Sequence, residues 1–261
     1  MGGQAERKGE TLMRCLLDFG ELLLNCGAEV SRVEDSLCRI ANAYGAEEVD
    51  AFVIPSLISI SLVLPEEPAL TQTRRIRSDT STDFYRLEKL NALSRGCCAD
   101  PPELETLRAQ IDHIAAGEKP AGVIFAGSAL TAGSFAVFFG GSVWDGVTAA
   151  LFALLICLLQ KRVGRTKLNP AAGNLFLSLI TGLAVGGLTL LLPALHADKI
   201  LIGDIMLLIP GLAMTNAVRN LLIGDTISGA VRLAESLVWA GALAGGFMIA
   251  MLSLRLIGGA L

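Results

Sequence analysis

The chain has 261 residues, of which 52% are hydrophobic and 18% charged, and its mean hydropathy is +0.58. Because an ordinary soluble domain carries about a quarter charged residues, this composition argues against a nucleic-acid-binding protein, a coiled coil, a disordered chain and a secreted disulfide-rich scaffold. Residues 1–119 hold 13 of the 21 basic and 20 of the 25 acidic residues, a net charge of −7, and residues 120–261 hold the remaining 8 and 5. The sequence therefore predicts a small cytoplasmic α+β domain over 1–119, followed by a transmembrane domain over 120–261.

The N-terminal domain is predicted to begin with two helices. Residues 10–26 and 31–44 have apolar residues at helical spacing. We interpret Ser31-Arg-Val-Glu34 as a capping box, in which the side chains of Ser31 and Glu34 satisfy free backbone N–H groups. The remaining predicted elements are the strands Val49–Ile54, Leu57–Leu64 and Gln72–Arg77 and the helices Asp83–Arg95 and Glu103–Ala116.

The charged residues around the second helix are the best candidates for a binding site in this domain. Glu29, Arg32 and Glu34 lie close together in sequence and could hold a small polar molecule, although a solvated helix face explains them equally simply. The chain has no Walker, HExxH or GxSxG motif and no metal-binding cysteine pair. We therefore expect no cofactor, no metal and no catalytic site, and we expect the six cysteines to be reduced thiols.

A basic run follows the predicted second strand. Arg74, Arg75 and Arg77 could face anionic lipid or an anionic solute. The alternative is a charged sheet edge that prevents aggregation.

Five nearly uncharged stretches predict five transmembrane helices, because about 20 apolar residues cross the ~30 Å of hydrocarbon. They cover Pro120–Trp144, Gly146–Gln160, Leu168–Ala197, Ile200–Val218 and a segment from about Ile227 to Arg255. The second is short, and we expect Trp144 and Lys161 to flank it as interfacial anchors.

The short loops predict the orientation of these helices. Basic residues concentrate after the second and fourth spans, at Lys161, Arg162, Arg165, Lys167, Arg219 and Arg232. Since basic loops face the cytoplasm, we expect the N-terminal domain to be cytoplasmic and the C-terminus to lie outside. This pattern predicts a multi-pass membrane protein.

The fourth span contains a predicted break. Pro210 and Gly211 interrupt its helix, with Asp204 about two turns before them and Thr215 and Asn216 after them. A break within the membrane exposes backbone groups that only protein or a water-filled cavity can satisfy, so these five residues are the candidate solute site. The alternative is a simple proline kink, with Asp204 at the outer interface beside Lys199.

Further polar residues in the spans are candidates for the same path. Asn174, Ser178 and Thr181 recur at helical spacing in the third span, although Ser and Thr also bond to their own helix. Asp204 and Glu235 are the acids within or beside the spans, and we expect one of them to take part in proton coupling. For Glu235, an ion pair with Arg232 is an equally simple explanation.

Small residues recur four apart in three spans, at Ala129 and Gly133, Gly182 and Gly186, and Gly241 and Gly245. This spacing lets helices approach closely in lipid. We expect it to serve either packing within the bundle or docking of a second membrane subunit.

Two segments resemble the threonine/serine exporter family. The first is Gly27-Ala-Glu-Val-Ser-Arg-Val-Glu34, followed by Ala43-Tyr-Gly45 and Phe52-Val-Ile-Pro55; the second runs from Pro210 through Thr215-Asn216-Ala to Gly224-Asp-Thr-Ile-Ser-Gly-Ala-Val-Arg232. Asn220 stands where the family pattern has Asp. The resemblance covers nearly the whole chain.

The resemblance implies a secondary exporter of small amino acids such as threonine and serine, located in the bacterial cytoplasmic membrane. This chain is similar to the short type, which pairs with a separate, smaller membrane protein, and some two-component members are associated with export of dicarboxylates such as succinate. Because the chain has no nucleotide motif, we expect the proton gradient to drive export. Two other readings remain at this point: a membrane-anchored enzyme that acts through Glu29, Arg32 and Glu34, and a scaffold subunit without a transport path.

Overall fold

The computed structural model describes residues 8–76, 83–117, 121–164 and 168–258. Its elements are α1 (Lys8–Asn25), α2 (Val30–Ala43), β1 (Glu48–Ile54), β2 (Leu57–Val63), β3 (Leu70–Arg75), α3 (Phe84–Ala99), α4 (Leu104–Ala116), α5 (Ala121–Phe138), α6 (Val143–Val163), α7 (Pro170–Leu191), α8 (Ala197–Leu208), α9 (Gly211–Leu222) and α10 (Thr226–Gly258). The helices and strands expected before residue 117 are confirmed to within a few residues. Arg77, Arg165 and Lys167 lie outside the described residues.

The chain divides into two compact units. One comprises Met1–Glu118 together with Thr215–Arg232, and the other comprises Lys119–Met214 and Leu233–Leu261. The division passes through two helices, since Met214 and Thr215 lie within α9 and Arg232 and Leu233 lie within α10.

In the first unit, α1 packs on a three-stranded antiparallel sheet of order β1-β2-β3 and against α2, α3 and α4. The core contains fully buried side chains from α1, α2 and β2, among them Leu12, Leu16, Phe19, Leu37, Ile58 and Ile60. On the exposed side of the sheet, the Ser59 and Ser61 hydroxyls lie 3.1 and 2.9 Å from those of Thr73 and Thr71. Cross-strand hydroxyl pairs therefore explain why serines interrupt the apolar run of β2.

The predicted capping box at the start of α2 is wrong. The helix begins one residue earlier than expected, at Val30, so Ser31 lies inside the first turn and Glu29 is the N-cap residue. The Glu34 carboxylate instead accepts a hydrogen bond from Val53 N at 2.9 Å. Because β1 is an edge strand, this contact satisfies a backbone donor that has no neighbouring strand.

The second unit contains the helices that are long and apolar enough to cross a membrane. Among the described residues these are α5, α6, α7 and most of α10, and the bent pair α8 and α9 would make a fifth. The protein is thus mostly helical, with four such helices or up to five.

The first three predicted spans differ from the structure at their ends. The third helix ends at Leu191 and not at the predicted Ala197, which begins α8. The first helix stops at Phe138, where the chain turns through Gly140 with φ of 91°. The second helix is longer than the predicted Gly146–Gln160, because a capping box of Ser142 and Asp145 starts it at Val143. Trp144 and Lys161 therefore lie within the first and last turns of α6, and their role as interfacial anchors stays a prediction.

Small residues bring the helices of this unit together. A Cβ at Gly133 would lie 2.9 Å from the Gly146 carbonyl oxygen, and one at Gly182 would lie 2.7 Å from Ala250 Cβ. Packing of the Gly182 motif within the chain is thereby confirmed. Gly241 and Gly245, by contrast, have no neighbouring atom within 4 Å of such a Cβ in the described part of the chain.

Candidate functional site

The predicted break between α8 and α9 is confirmed. The two helices meet at an angle of 54°, and Ile209 has an extended backbone with ψ of 129°. Pro210 lacks the N–H that would reach the Met206 carbonyl in a continuous helix. Gly211 N donates to Ile209 O at 2.8 Å, and helical bonding resumes with Met214 N donating to Pro210 O at 3.0 Å.

Asp204 is fully buried in α8, about a turn and a half before the break. Neither of its carboxylate oxygens has a hydrogen-bond partner among the described residues. Lys199 pairs instead with Asp198 at 3.2 Å, so the interfacial position of Asp204 beside Lys199 is not observed. A buried carboxyl group without a partner is costly, and it can be retained where it binds a proton or a solute.

The three polar candidates of α7 differ from one another. Ser178 is buried, and its hydroxyl donates to the carbonyl oxygens of Asn174 at 2.8 Å and Leu175 at 3.0 Å in its own helix. Thr181 is also fully buried, but its hydroxyl has no partner among the described residues. Asn174 is half-buried. Among the described residues, Thr181 of α7 and Asp204 of α8 are thus both buried without a hydrogen-bond partner, and these two helices contact each other.

The remaining candidates of the spans are more accessible. Gly211 and Thr215 are exposed, and Pro210 and Asn216 are half-buried. Glu235 is exposed on α10. Among the described residues, none of them makes a hydrogen bond to the Asp204 carboxylate.

Asp145 is a buried residue that the sequence did not single out as functional. Its carboxylate accepts hydrogen bonds from Ser142 N at 2.7 Å, Ser142 Oγ at 2.8 Å and His196 N at 2.8 Å, and it lies 3.0 Å from His196 Nδ1. Asp145 is in the first turn of α6, and His196 is the N-cap residue of α8. One carboxylate thus ties together the starts of α6 and α8. The spacing of Ser142 and Asp145 was the available signal, because it is that of a capping box.

In the first unit, Glu29 lies between two arginines. Its carboxylate pairs with the Arg219 guanidinium, and Arg32 Nε lies 3.8 Å from its other oxygen. Arg219 is in the last turn of α9, 190 residues further along the chain. Of the predicted cluster, Glu29 and Arg32 therefore lie together, and the most direct partner of Glu29 comes from a distant segment.

A second contact joins the same two segments. The buried Arg232 donates from Nη2 to Ala28 O at 3.5 Å. Gly224 makes the turn between α9 and α10 with φ of 95°, and a Cβ at Gly229 would lie 2.9 Å from Leu221 N and 3.0 Å from Ala217 O. The two glycines thus allow α10 to return closely along α9, which brings Arg232 beside Ala28.

Glu34 belongs to the sheet rather than to this arginine cluster. Burial raises the pKa of its carboxyl group, the hydrogen bond from Val53 N lowers it, and the nearby charges of Asp225 and Asp50 raise it further. The net direction is upward. Its observed role is to hold α2 against β1.

The basic run on β3 is partly engaged in ion pairs. Arg74 pairs with Asp18 of α1, and its Nη1 also lies 3.3 Å from Glu21 Oε2. Arg75 is exposed. Ion pairing between the sheet and α1 therefore accounts for Arg74 without an anionic ligand.

Comparison with known proteins identifies the family. A family model described as "Putative threonine/serine exporter" matches residues 14–254. Two proteins named "Probable succinate transporter subunit YjjP" also match. The one from Klebsiella aerogenes is 24% identical over 88% of this chain and 90% of the relative. The one from Escherichia coli is 23% identical over 85% of this chain and 86% of the relative. No solved structure matches significantly. The family and both relatives are described as transporters, and the chain belongs to this threonine/serine exporter family, ThrE.

Proposed function

We propose that this chain is one subunit of a proton-coupled exporter of small carboxylate-bearing metabolites, with threonine and serine as its solutes. The observation that carries the proposal is the broken fourth span, with the buried, unpartnered Asp204 just before the break. A discontinuous helix supplies free backbone groups at membrane depth. The solute site comprises Asp204, Pro210, Gly211, Thr215 and Asn216.

Asp204 favours an amino acid over a dicarboxylate at this site. The ammonium group of threonine or serine can pair with a buried carboxylate, whereas a dianion would be repelled by it. The printed names of the two relatives favour succinate, which is therefore the second candidate solute. Protonation of Asp204 would remove the repulsion, so either solute is compatible with proton coupling through this residue. Glu235 is the alternative coupling acid.

The polar face of α7 would line the same path. Thr181 offers an unsatisfied hydroxyl, and Asn174 offers a half-buried amide. Ser178 contributes less, because its hydroxyl already donates within the helix. We therefore rank Thr181 first among the three.

The proposed arrangement has five spans, a cytoplasmic N-terminal domain over 1–119 and an external C-terminus. Arg219 lies in the last turn of α9, and its pairing with Glu29 supports placing the C-terminal end of the fourth span on the same side as the N-terminal domain. Five spans make half of a transporter of paired repeats. A second, smaller membrane subunit or another copy of this chain would supply the rest, in the bacterial inner membrane.

The test is transport by the chain after reconstitution, alone and with any smaller membrane subunit that co-purifies with it. Proteoliposomes with an imposed pH gradient are loaded with labelled threonine, serine or succinate, and efflux is followed. We expect Asp204→Asn to lower gradient-driven efflux by about tenfold or more, equivalent to roughly 1.4 kcal/mol of lost coupling. Asp198→Asn is the matched control, since Asp198 is an exposed acid of the same helix and its loss should leave efflux unchanged. Equal efflux by wild type and Asp204→Asn would remove Asp204 from the mechanism.

A further inference from the structure

We propose that Arg219 and Arg32 form a binding site for the carboxylate group of the solute on the first unit, and that Glu29 occupies this site in the solute-free state. The inference rests on the proposed function, because it assumes that the solute carries a carboxylate. It assigns a second binding site, separate from the broken span.

Three arginines lie around the turn that joins α1 to α2. Arg219 and Arg32 both reach the Glu29 carboxylate, and Arg232 donates to Ala28 O in the preceding residue. The side chains of Arg219 and Arg32 are 53% and 70% exposed, so a dissolved molecule can reach them. Guanidinium groups bind carboxylates through paired, charge-assisted hydrogen bonds.

The backbone at this turn adds further donors. Glu29 is the N-cap residue of α2, but its side chain makes no capping hydrogen bond, because it points to the arginines. The first backbone N–H groups of α2 therefore do not donate to the side chain of the N-cap residue, as they do in a capped helix. Ser31 and Arg32, in this first turn, are exposed.

Glu29 marks the place that a carboxylate ligand would take. Its side chain is 16% exposed and lies where both guanidinium groups converge. The other two acids of this region are engaged elsewhere, since Glu34 accepts from Val53 N and Asp225 from Ser228 N at 3.4 Å. Displacing Glu29 thus leaves the arginines without their nearest counter-charge. Because a partly exposed ion pair is weak, a free carboxylate can compete with Glu29 for the two arginines.

The test is direct binding to the purified full-length chain in detergent, measured by calorimetry. Four probes are compared. Succinate carries two carboxylates, threonine is a zwitterion, acetate carries one carboxylate, and ethylamine carries only an ammonium group. We expect Glu29→Gln to lower the Kd of the three carboxylate probes about fivefold, because the internal competitor is removed. We expect Arg219→Gln, added to Glu29→Gln, to raise the Kd again by tenfold or more.

The matched control is Asp35→Asn, which removes an exposed acid of α2 that pairs with Arg39 and should leave every Kd unchanged. Glu29→Asp, which retains the charge, should bind as the wild type does. If Glu29 has only a structural role, Glu29→Gln should bind the carboxylate probes as the wild type does or more weakly. That result would overturn the proposal. Tighter binding of ethylamine would also overturn it. The binding readout does not depend on transport, so failure of the proposed exporter function would be seen separately in proteoliposomes.

Discussion

Individual side chains in this protein take roles that their sequence neighbours do not reveal. Glu34 has the spacing of a capping residue, yet it bonds to a strand. Ser178 has the spacing of a path-lining residue, yet its hydroxyl is satisfied within α7. One hydrogen bond engages Glu34, and two bonds to carbonyl oxygens of its own helix engage Ser178.

Glu34 gives a prediction about stability and pH. Its pKa is raised in the folded protein, chiefly by burial, so the folded state binds the proton more tightly than the unfolded chain does. The contribution of this group to stability is therefore fully present below its unfolded pKa of 4.5 and is lost as the pH rises through the folded value. Thermal unfolding of wild type and Glu34→Gln is compared from pH 4 to 7. The wild type should lose stability relative to Glu34→Gln across this window.

The exposed Asp35 provides the control for this measurement. Asp35→Asn removes an acid from the same helix without changing the buried hydrogen bond. It should follow the wild-type pH profile. Parallel profiles for wild type and Glu34→Gln would show that burial of Glu34 does not influence stability.

At the scale of elements, the positions of glycines distinguish tight helix contacts from open faces. A Cβ at Gly246 would lie 2.5 Å from Leu175 O and 3.0 Å from Leu179 N of α7, whereas one at Gly245 would meet no atom within 4 Å in the described residues. The two glycines are adjacent in α10. Their difference follows from helix geometry, because successive residues point about 100° apart.

We expect Gly246→Ala to destabilise the protein by about 1–3 kcal/mol, because the added methyl group meets the backbone of α7. Gly245→Ala should be neutral or stabilising by up to about 1 kcal/mol through its higher helix propensity. Unfolding of both variants in detergent provides the comparison. Equal losses of stability would contradict the close packing of α7 against α10.

The broken span is the element that the sequence predicted best. Proline and glycine change the local backbone directly, so Pro210 and Gly211 predict the break in the helix whatever the tertiary fold is. The ends of α5 and α6 were less predictable. They depend on the turn at Gly140 and on the cap formed by Ser142 and Asp145. The spans were predicted from stretches without charged residues, and this criterion detects neither feature.

At the scale of the whole molecule, the orientation in the membrane can be tested with a native thiol. Cys98 is an exposed residue of α3, in the N-terminal part of the chain. His196 precedes α8 as its N-cap residue, and its side chain is 61% exposed. The positive-inside rule places these residues on opposite sides of the membrane. A membrane-impermeant maleimide should therefore label Cys98 in inside-out vesicles only.

His196→Cys in a Cys98→Ser background should give the opposite pattern, with labelling of right-side-out spheroplasts. Cys98→Ser alone provides the control for the remaining thiols. Labelling of Cys98 from outside would reverse the proposed topology, and with it the direction of transport that a cytoplasmic collecting site requires.

The sequence by itself determined the class of protein, the apolar helices, the break in the fourth span and the family. Each of these follows from local composition, spacing or short motifs, whose physical effects act on neighbouring residues. Only the tertiary structure decided that Arg219 meets Glu29, that Arg232 meets Ala28, and that Asp145 joins the starts of α6 and α8. Such contacts join residues 51 to 204 positions apart, and they arise from how helices pack, which no local pattern encodes.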